Sequence, residues 1–126
     1  MNRRVFMFFA LALGLGITGA AAAHHPPLME RCVISSFAGQ IEQIAWRMPH
    51  VELSVRKNDG VGIRLTWLNI HQLSRVEIFR DTLRVGDQVV VTAIGRRDDL
   101  LDRPMLLSNI RRPSDGWEWS QEPQGC

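Results

Sequence analysis

The chain has 126 residues, 15 Lys and Arg against 13 Asp and Glu, and 45% hydrophobic residues. That length supports one domain around a single core. The positive excess equals Arg3 and Arg4. Without them the charges balance, leaving neither the basic footprint of a nucleic-acid binder nor a polybasic membrane patch, so no nucleic-acid partner is expected.

Met1-Asn2-Arg3-Arg4 precedes an uncharged run from Val5 to Ile17, followed by Thr18-Gly19 and Ala20 to Ala23. A basic start, a short apolar stretch and an A-x-A site predict a secretory signal peptide over 1–23, cut after Ala22 or Ala23. The second half of the run is rich in Gly and Ala, which favours a cleaved signal over an anchor. The chain is therefore expected in the periplasm or secreted, with no stable membrane span after cleavage. Export favours oxidation of its two cysteines, Cys32 and Cys126. A bridge between them would close most of the domain into one loop, worth up to about 4–5 kcal/mol in the chain-entropy model. The competing reading is two unpaired thiols.

His24-His25-Pro26-Pro27 lacks two backbone donors and predicts an extended arm over 24–35. Strand one is expected from Ser36 to Trp46. Ile44 and Trp46 share a face and Ile41 does not, so a one-residue bulge is placed near Glu42-Gln43, with Gly39 as a second bend. Strand two turns Val51, Leu53 and Val55 inward, and His50, Glu52, Ser54 and Arg56 outward. Asn58-Asp59-Gly60 is a turn. Strand three places Val61, Ile63, Leu65 and Trp67 inward.

The period then changes. Asn69 and Gln72 form a potential capping box, Leu68 and Leu73 a hydrophobic staple, and a helix is predicted over 70–79. Val85-Gly86-Asp87 turns into strand four, Gln88 to Gly95, apolar on both faces and so central. Arg96 to Pro104 is a charged loop. Asp98, Asp99 and Asp102 there lack the spacing of a calcium loop and are read as self-paired with Arg96, Arg97 and Arg103. Met105 to Arg111 is strand five, Pro113 to Gly116 a turn, and 114–126 a tail that pairs briefly at an edge or lies over the barrel end. Three strands, one helix and two strands is the element order of an OB-fold. The expected architecture is all-β with one short helix, a five-stranded barrel over 36–113.

Three segments also look familiar: Ala23-His24-His25, the corner Trp46-Arg47-Met48-Pro49-His50-Val51, and Asp81 to Val89 with its Gly86-Asp87 lead-in. They resemble a family of small exported bacterial proteins known as a domain of unknown function. Its members begin with Ala-His-His, carry Trp-x-Asn-Pro-His at the corner and have Leu-x-Pro-Gly-Asp before strand four. Met48 replaces the family's Asn, Val85 its Pro, and Pro26 follows His25 in place of Ser-Phe. The resemblance implies export and a barrel-like fold, and no activity.

Four histidines, His24, His25, His50 and His71, are the candidate metal ligands. An amino-terminal His24 would chelate Cu(II) through its amine and imidazole, with His50 completing a nitrogen set. A start at Ala23 would instead make His25 the third residue of a square-planar site. The competing reading has a solvated arm and a His50 that bonds a neighbouring carbonyl to hold the corner. Arg47, Pro49 and His50 at the corner, with Trp117 and Trp119 in the tail, are the binding-face candidates, since aromatics on OB faces often stack ligands. Trp46 and Trp67 are read as core. No Ser-His-Asp elbow, phosphate loop, HExxH motif or framed acid pair is present. The expectation is a monomeric, non-catalytic, exported binding or adaptor module for a small ligand or a protein. The alternative is a copper-binding protein using His24 and His25, with His50 as a further candidate ligand.

Overall fold

The computed structural model describes residues 32–98 and 102–123. Its elements are β1 (Cys32–Ala45), β2 (Glu52–Lys57), β3 (Gly62–Thr66), α1 (Ile70–Arg75), β4 (Gln88–Arg96), β5 (Met105–Arg112) and β6 (Trp117–Ser120). The strands follow the order β3-β2-β1-β4-β5-β6, and β3 also pairs with β5. That last contact is parallel and involves only Leu65 with Met105 and Thr66 with Leu106. It closes five strands into the expected OB-like barrel, with the helix between β3 and β4.

β1 is the strand that makes closure possible. Its first part pairs with β4 from Cys32–Arg96 to Gln40–Gln88, and its second part with β2 from Gly39–Lys57 to Ala45–Glu52. Only Gly39 and Gln40 pair on both sides. At Gly39 the neighbouring strand comes so close that an added Cβ would meet the Arg56 carbonyl oxygen and lie 2.8 Å from Val55 Cγ1. Two residues later the register shifts between Ile41 and Gln43, the bulge expected from the pattern. The extra residue, Glu42, turns its carboxylate to the Arg56 guanidinium.

The bulge returns Ile41, now 1% exposed, to the inner face. There it joins Val51, Leu53, Val55, Leu65, Val89, Val91, Ala93 and Ile110 in the core. The alternation in β2 is as the sequence indicates, and β4, apolar on both faces, lies between β1 and β5 as expected. Val61 is not inward: it precedes β3 and is half exposed. Trp67 is buried, whereas Trp46 is only half-buried against the core rim.

The helix is shorter than its apolar period suggests. It ends at Arg75, with Val76 as its cap and Glu77 at φ 59°, so Ile78 reaches the core by a turn rather than a helical step. Six residues have almost no helical stability of their own. The element is held by the capping box between Asn69 and Gln72 and by the fully buried Leu73. A side chain such as Leu73 contributes about 1.5–3 kcal/mol when removed from water.

One boundary also differs. β1 begins at Cys32 rather than Ser36, because β4 offers partners as far as Arg96; of the arm expected over 24–35, residues 32–35 are strand and 24–31 lie outside the described residues. The tail pairs at an edge, one of its two expected placements: it contains β6, which pairs with β5 from Asn109–Ser120 to Arg112–Trp117. Cys32 is disulfide-bonded, and Cys126 lies outside the described residues, as do the signal peptide, His24 and His25.

Arg112 fastens the β5–β6 hairpin to the chain leading into β4. Its Nη1 donates to the Thr82 carbonyl and to Asp87 Oδ2, both at 2.8 Å, while Nε and Nη2 bind the two oxygens of Asp115. Asp87 Oδ2 also accepts the Arg84 backbone N–H at 3.0 Å. The Arg112 guanidinium and the Trp117 backbone N–H hold the Asp115 carboxyl below its usual range.

These contacts give two expected outcomes. Gly39→Ala should lower stability by about 3 kcal/mol, the upper range for overpacking, because a backbone oxygen cannot rotate away. Gly62→Ala, with open space at its Cβ, should stay within about 0.5 kcal/mol; chemical denaturation measures both. Asp115 has a lowered folded pKa, so its contribution is present above the unfolded value and fades as pH falls through the folded one. Asp115→Asn should therefore flatten the dependence of Tm on pH below about pH 4, while Arg112→Ala should cost about 2 kcal/mol at neutral pH.

Candidate functional site

The corner between β1 and β2 is fixed from below. The Val51 backbone N–H donates to the Leu68 carbonyl at 3.1 Å, and the Val51 carbonyl accepts from Trp67 at 2.8 Å. This seats the corner on the chain leaving β3. Arg47 swings back to Glu52, with Nη2 3.0 Å from the carboxylate. Pro49 and His50 are exposed at the tip. His50 makes no hydrogen bond to the described residues, so the carbonyl contact considered for it is not formed there.

Beside the corner, a cleft of about 160 Å³ lies on the outer face of β1, β2 and β3 and is bordered by Pro104 of the loop before β5. Its floor follows from register. Gln43 pairs with Ser54, and Ser54 with Arg64, placing an amide, a hydroxyl and a guanidinium in one outward row across three strands. The adjacent row is Ala45, Glu52 and Thr66. Had β1 continued in register past Ile41, Glu42 would stand opposite Ser54. The bulge replaces that carboxylate with the Gln43 amide.

Arg64 is anchored at one point, Nη2 donating to the Asp102 carbonyl at 3.0 Å across the β3–β5 seam. The Gln43 amide and Ser54 hydroxyl make no side-chain hydrogen bond to the described residues. The cleft is smaller than the roughly 300 Å³ at which pockets begin to enclose drug-sized ligands. It can seat one polar unit of a ligand lying along the face.

Of the binding-face candidates, only Arg47 borders this cleft. Trp117 and Trp119 lie on β6, beyond β5, and are half-buried against the core. Trp119 meets Trp67 edge to face at 5.3 Å between ring centroids, and Arg112 lies 5.8 Å from the Trp117 ring centre. Their alternation in the tail therefore reflects packing. Among the described residues no group of three His, Cys, Asp or Glu side chains is placed to hold a metal. His50 is on the corner and His71 on the outside of α1, while His24 and His25 lie outside the described residues.

The sequence pattern turned Ser54 outward but did not mark the row it belongs to. Placing the bulge at Glu42-Gln43 would have found Gln43 beside Ser54. The third member needs the β2–β3 register, which follows from the Lys57–Gly60 turn.

No protein-family model matches the chain, and no curated protein matches it. It is similar to a solved structure, the mitochondrial single-stranded DNA binding protein from S. cerevisiae, at 16% identity and a TM-score of 0.44, over 72% of this chain and 97% of that one. The expectation of no nucleic-acid partner is corrected by this neighbour. It rested on overall charge balance, and net charge averages over the whole surface, whereas single-strand binding on such barrels depends on a local groove and stacking side chains.

Trp119→Ala tests the packing role. It should lower stability by about 2 kcal/mol, since the aromatic pair and part of a large side chain's burial are lost. A substitution that left the denaturation midpoint unchanged would return Trp119 to the list of free surface aromatics.

Proposed function

We propose that this chain is an exported, non-catalytic OB-fold binding module that holds its ligand on the outer face of β1–β2–β3, between the Trp46–Val51 corner and the loop before β5. The observation that carries this reading is the outward row Gln43–Ser54–Arg64 on the floor of the cleft. The strand two–three face and the loops flanking it are where OB barrels take oligosaccharides and oligonucleotides. The row supplies donors and acceptors without a nucleophile–base pair or a clustered set of metal ligands among the described residues, which favours binding over chemistry.

Export is supported by the signal pattern at 1–23 and by the disulfide at Cys32, a bond that persists in oxidising compartments. The resemblance to a family of exported proteins points the same way. Cys126 is the other cysteine of the chain and the partner proposed for Cys32.

Two measurements test the reading. Intact mass of the protein recovered from the periplasm or medium should start at Ala23 or His24 and rise by two hydrogens on reduction. A full-length precursor in the cytosol would count against export. Glycan, peptide and oligonucleotide arrays should give at least one ligand class whose capture is lost in Arg64→Ala with the melting curve unchanged. Capture that survives Arg64→Ala, Ser54→Ala and Gln43→Ala together would remove this face as the site.

A further inference from the structure

We infer that the ligand of this face is an acidic sugar, whose carboxylate is taken by Arg64 and whose hydroxyls are taken by Ser54 and Gln43; this rests on the binding-module reading above. Arg64 offers a planar fork of donors suited to a carboxylate, and among the described residues only its Nη2 has a partner, the Asp102 carbonyl. That contact orients the guanidinium before a ligand arrives. Glu52, the carboxylate of the adjacent row, is already met by Arg47 at 3.0 Å. The bulge has also moved Glu42 out of the row and onto Arg56.

The remaining two groups define the rest of the ligand. An amide and a hydroxyl, each free to donate and accept, suit the hydroxyls of a sugar ring, which need both. Strand spacing puts members of the row about 5 Å apart, so the row spans about 10 Å. That is the reach of a short saccharide lying across the strands, with one unit in the cleft.

A peptide strand fits less well. Peptides that dock on sheets draw their affinity from unpaired backbone groups at an edge. Here β2 lies between β1 and β3, so the middle of the row presents side chains only.

Digalacturonic acid is the probe, titrated into the full mature protein and followed through backbone amide resonances. The neutral disaccharide digalactose, an acetylated glutamyl peptide and a thymidine oligonucleotide are run alongside. Digalacturonate should shift Gln43, Ser54 and Arg64, and digalactose should bind at least tenfold more weakly. Arg64→Ala should raise Kd for digalacturonate at least tenfold. Gln43→Glu restores a carboxylate to the row and should do the same with an unchanged melting temperature, which keeps the test valid if Arg64→Ala proves unstable. Equal binding of digalactose, unchanged affinity in Gln43→Glu, or no response to digalacturonate would overturn the acidic-sugar assignment. If the face then responds to the peptide or the oligonucleotide, the binding module stands with a different ligand. If digalacturonate shifts only residues away from the face, both the ligand and the site are wrong.

Discussion

The close approach of β1 to β2 at Gly39 is the constraint on which the barrel depends. One strand must pair with β4 along its first part and β2 along its second, and the two partners lie on opposite edges. The missing Cβ lets the Arg56 carbonyl lie against the strand where the two pairings overlap. The bulge two residues later restores the inward set, so that Ile41 faces the same core as Leu53 and Val55 of β2. Without the bend, β1 could belong to one sheet or the other, and the short β3–β5 seam would have nothing to close.

The same irregularity shapes the candidate site. A bulge shifts every later side chain by one position, so its chemical effect extends beyond the core. Outside, it substitutes a neutral amide for a carboxylate next to Ser54 and Arg64. Glu42 then pairs with Arg56, outside the row. Fold and site thus share one cause, and a change that straightened β1 would affect both.

The entry into β4 is held by a different kind of contact. The chain into β4 docks on β1 through backbone bonds between Ile41 and residues Gly86 and Asp87. Asp87 then turns its side chain to Arg84 and Arg112, and Arg112 carries the link to Asp115 and Trp117. This explains in physical terms a Gly-Asp pair that the sequence marked only as a turn. Gly86, at φ 96°, supplies the left-handed backbone, and Asp87 supplies three acceptor contacts, one through its backbone and two through its side chain. The tail is held to the barrel by this arginine and by Trp119 against Trp67.

Much of the fold was legible because it rests on local signals. Strict alternation fixed the inner face of β2, a run apolar on both faces marked β4 as central, the Asn69–Gln72 box fixed where the helix starts, and the broken period around Glu42 exposed the bulge. These follow from side-chain period and capping chemistry, which neighbours in sequence decide. The helix end, the inclusion of Cys32–Ser35 in β1 and the exposure of Val61 were decided by partners distant in the chain. The same holds for function. The sequence by itself determined a barrel with a secretory leader pattern and no catalytic motif, and it drew attention to histidines and tail tryptophans because those residue types are chemically conspicuous. Only the tertiary structure put Gln43, Ser54 and Arg64 in one row beside Pro104, because the β1–β2 register and the β3–β5 seam are pairings that no short motif encodes.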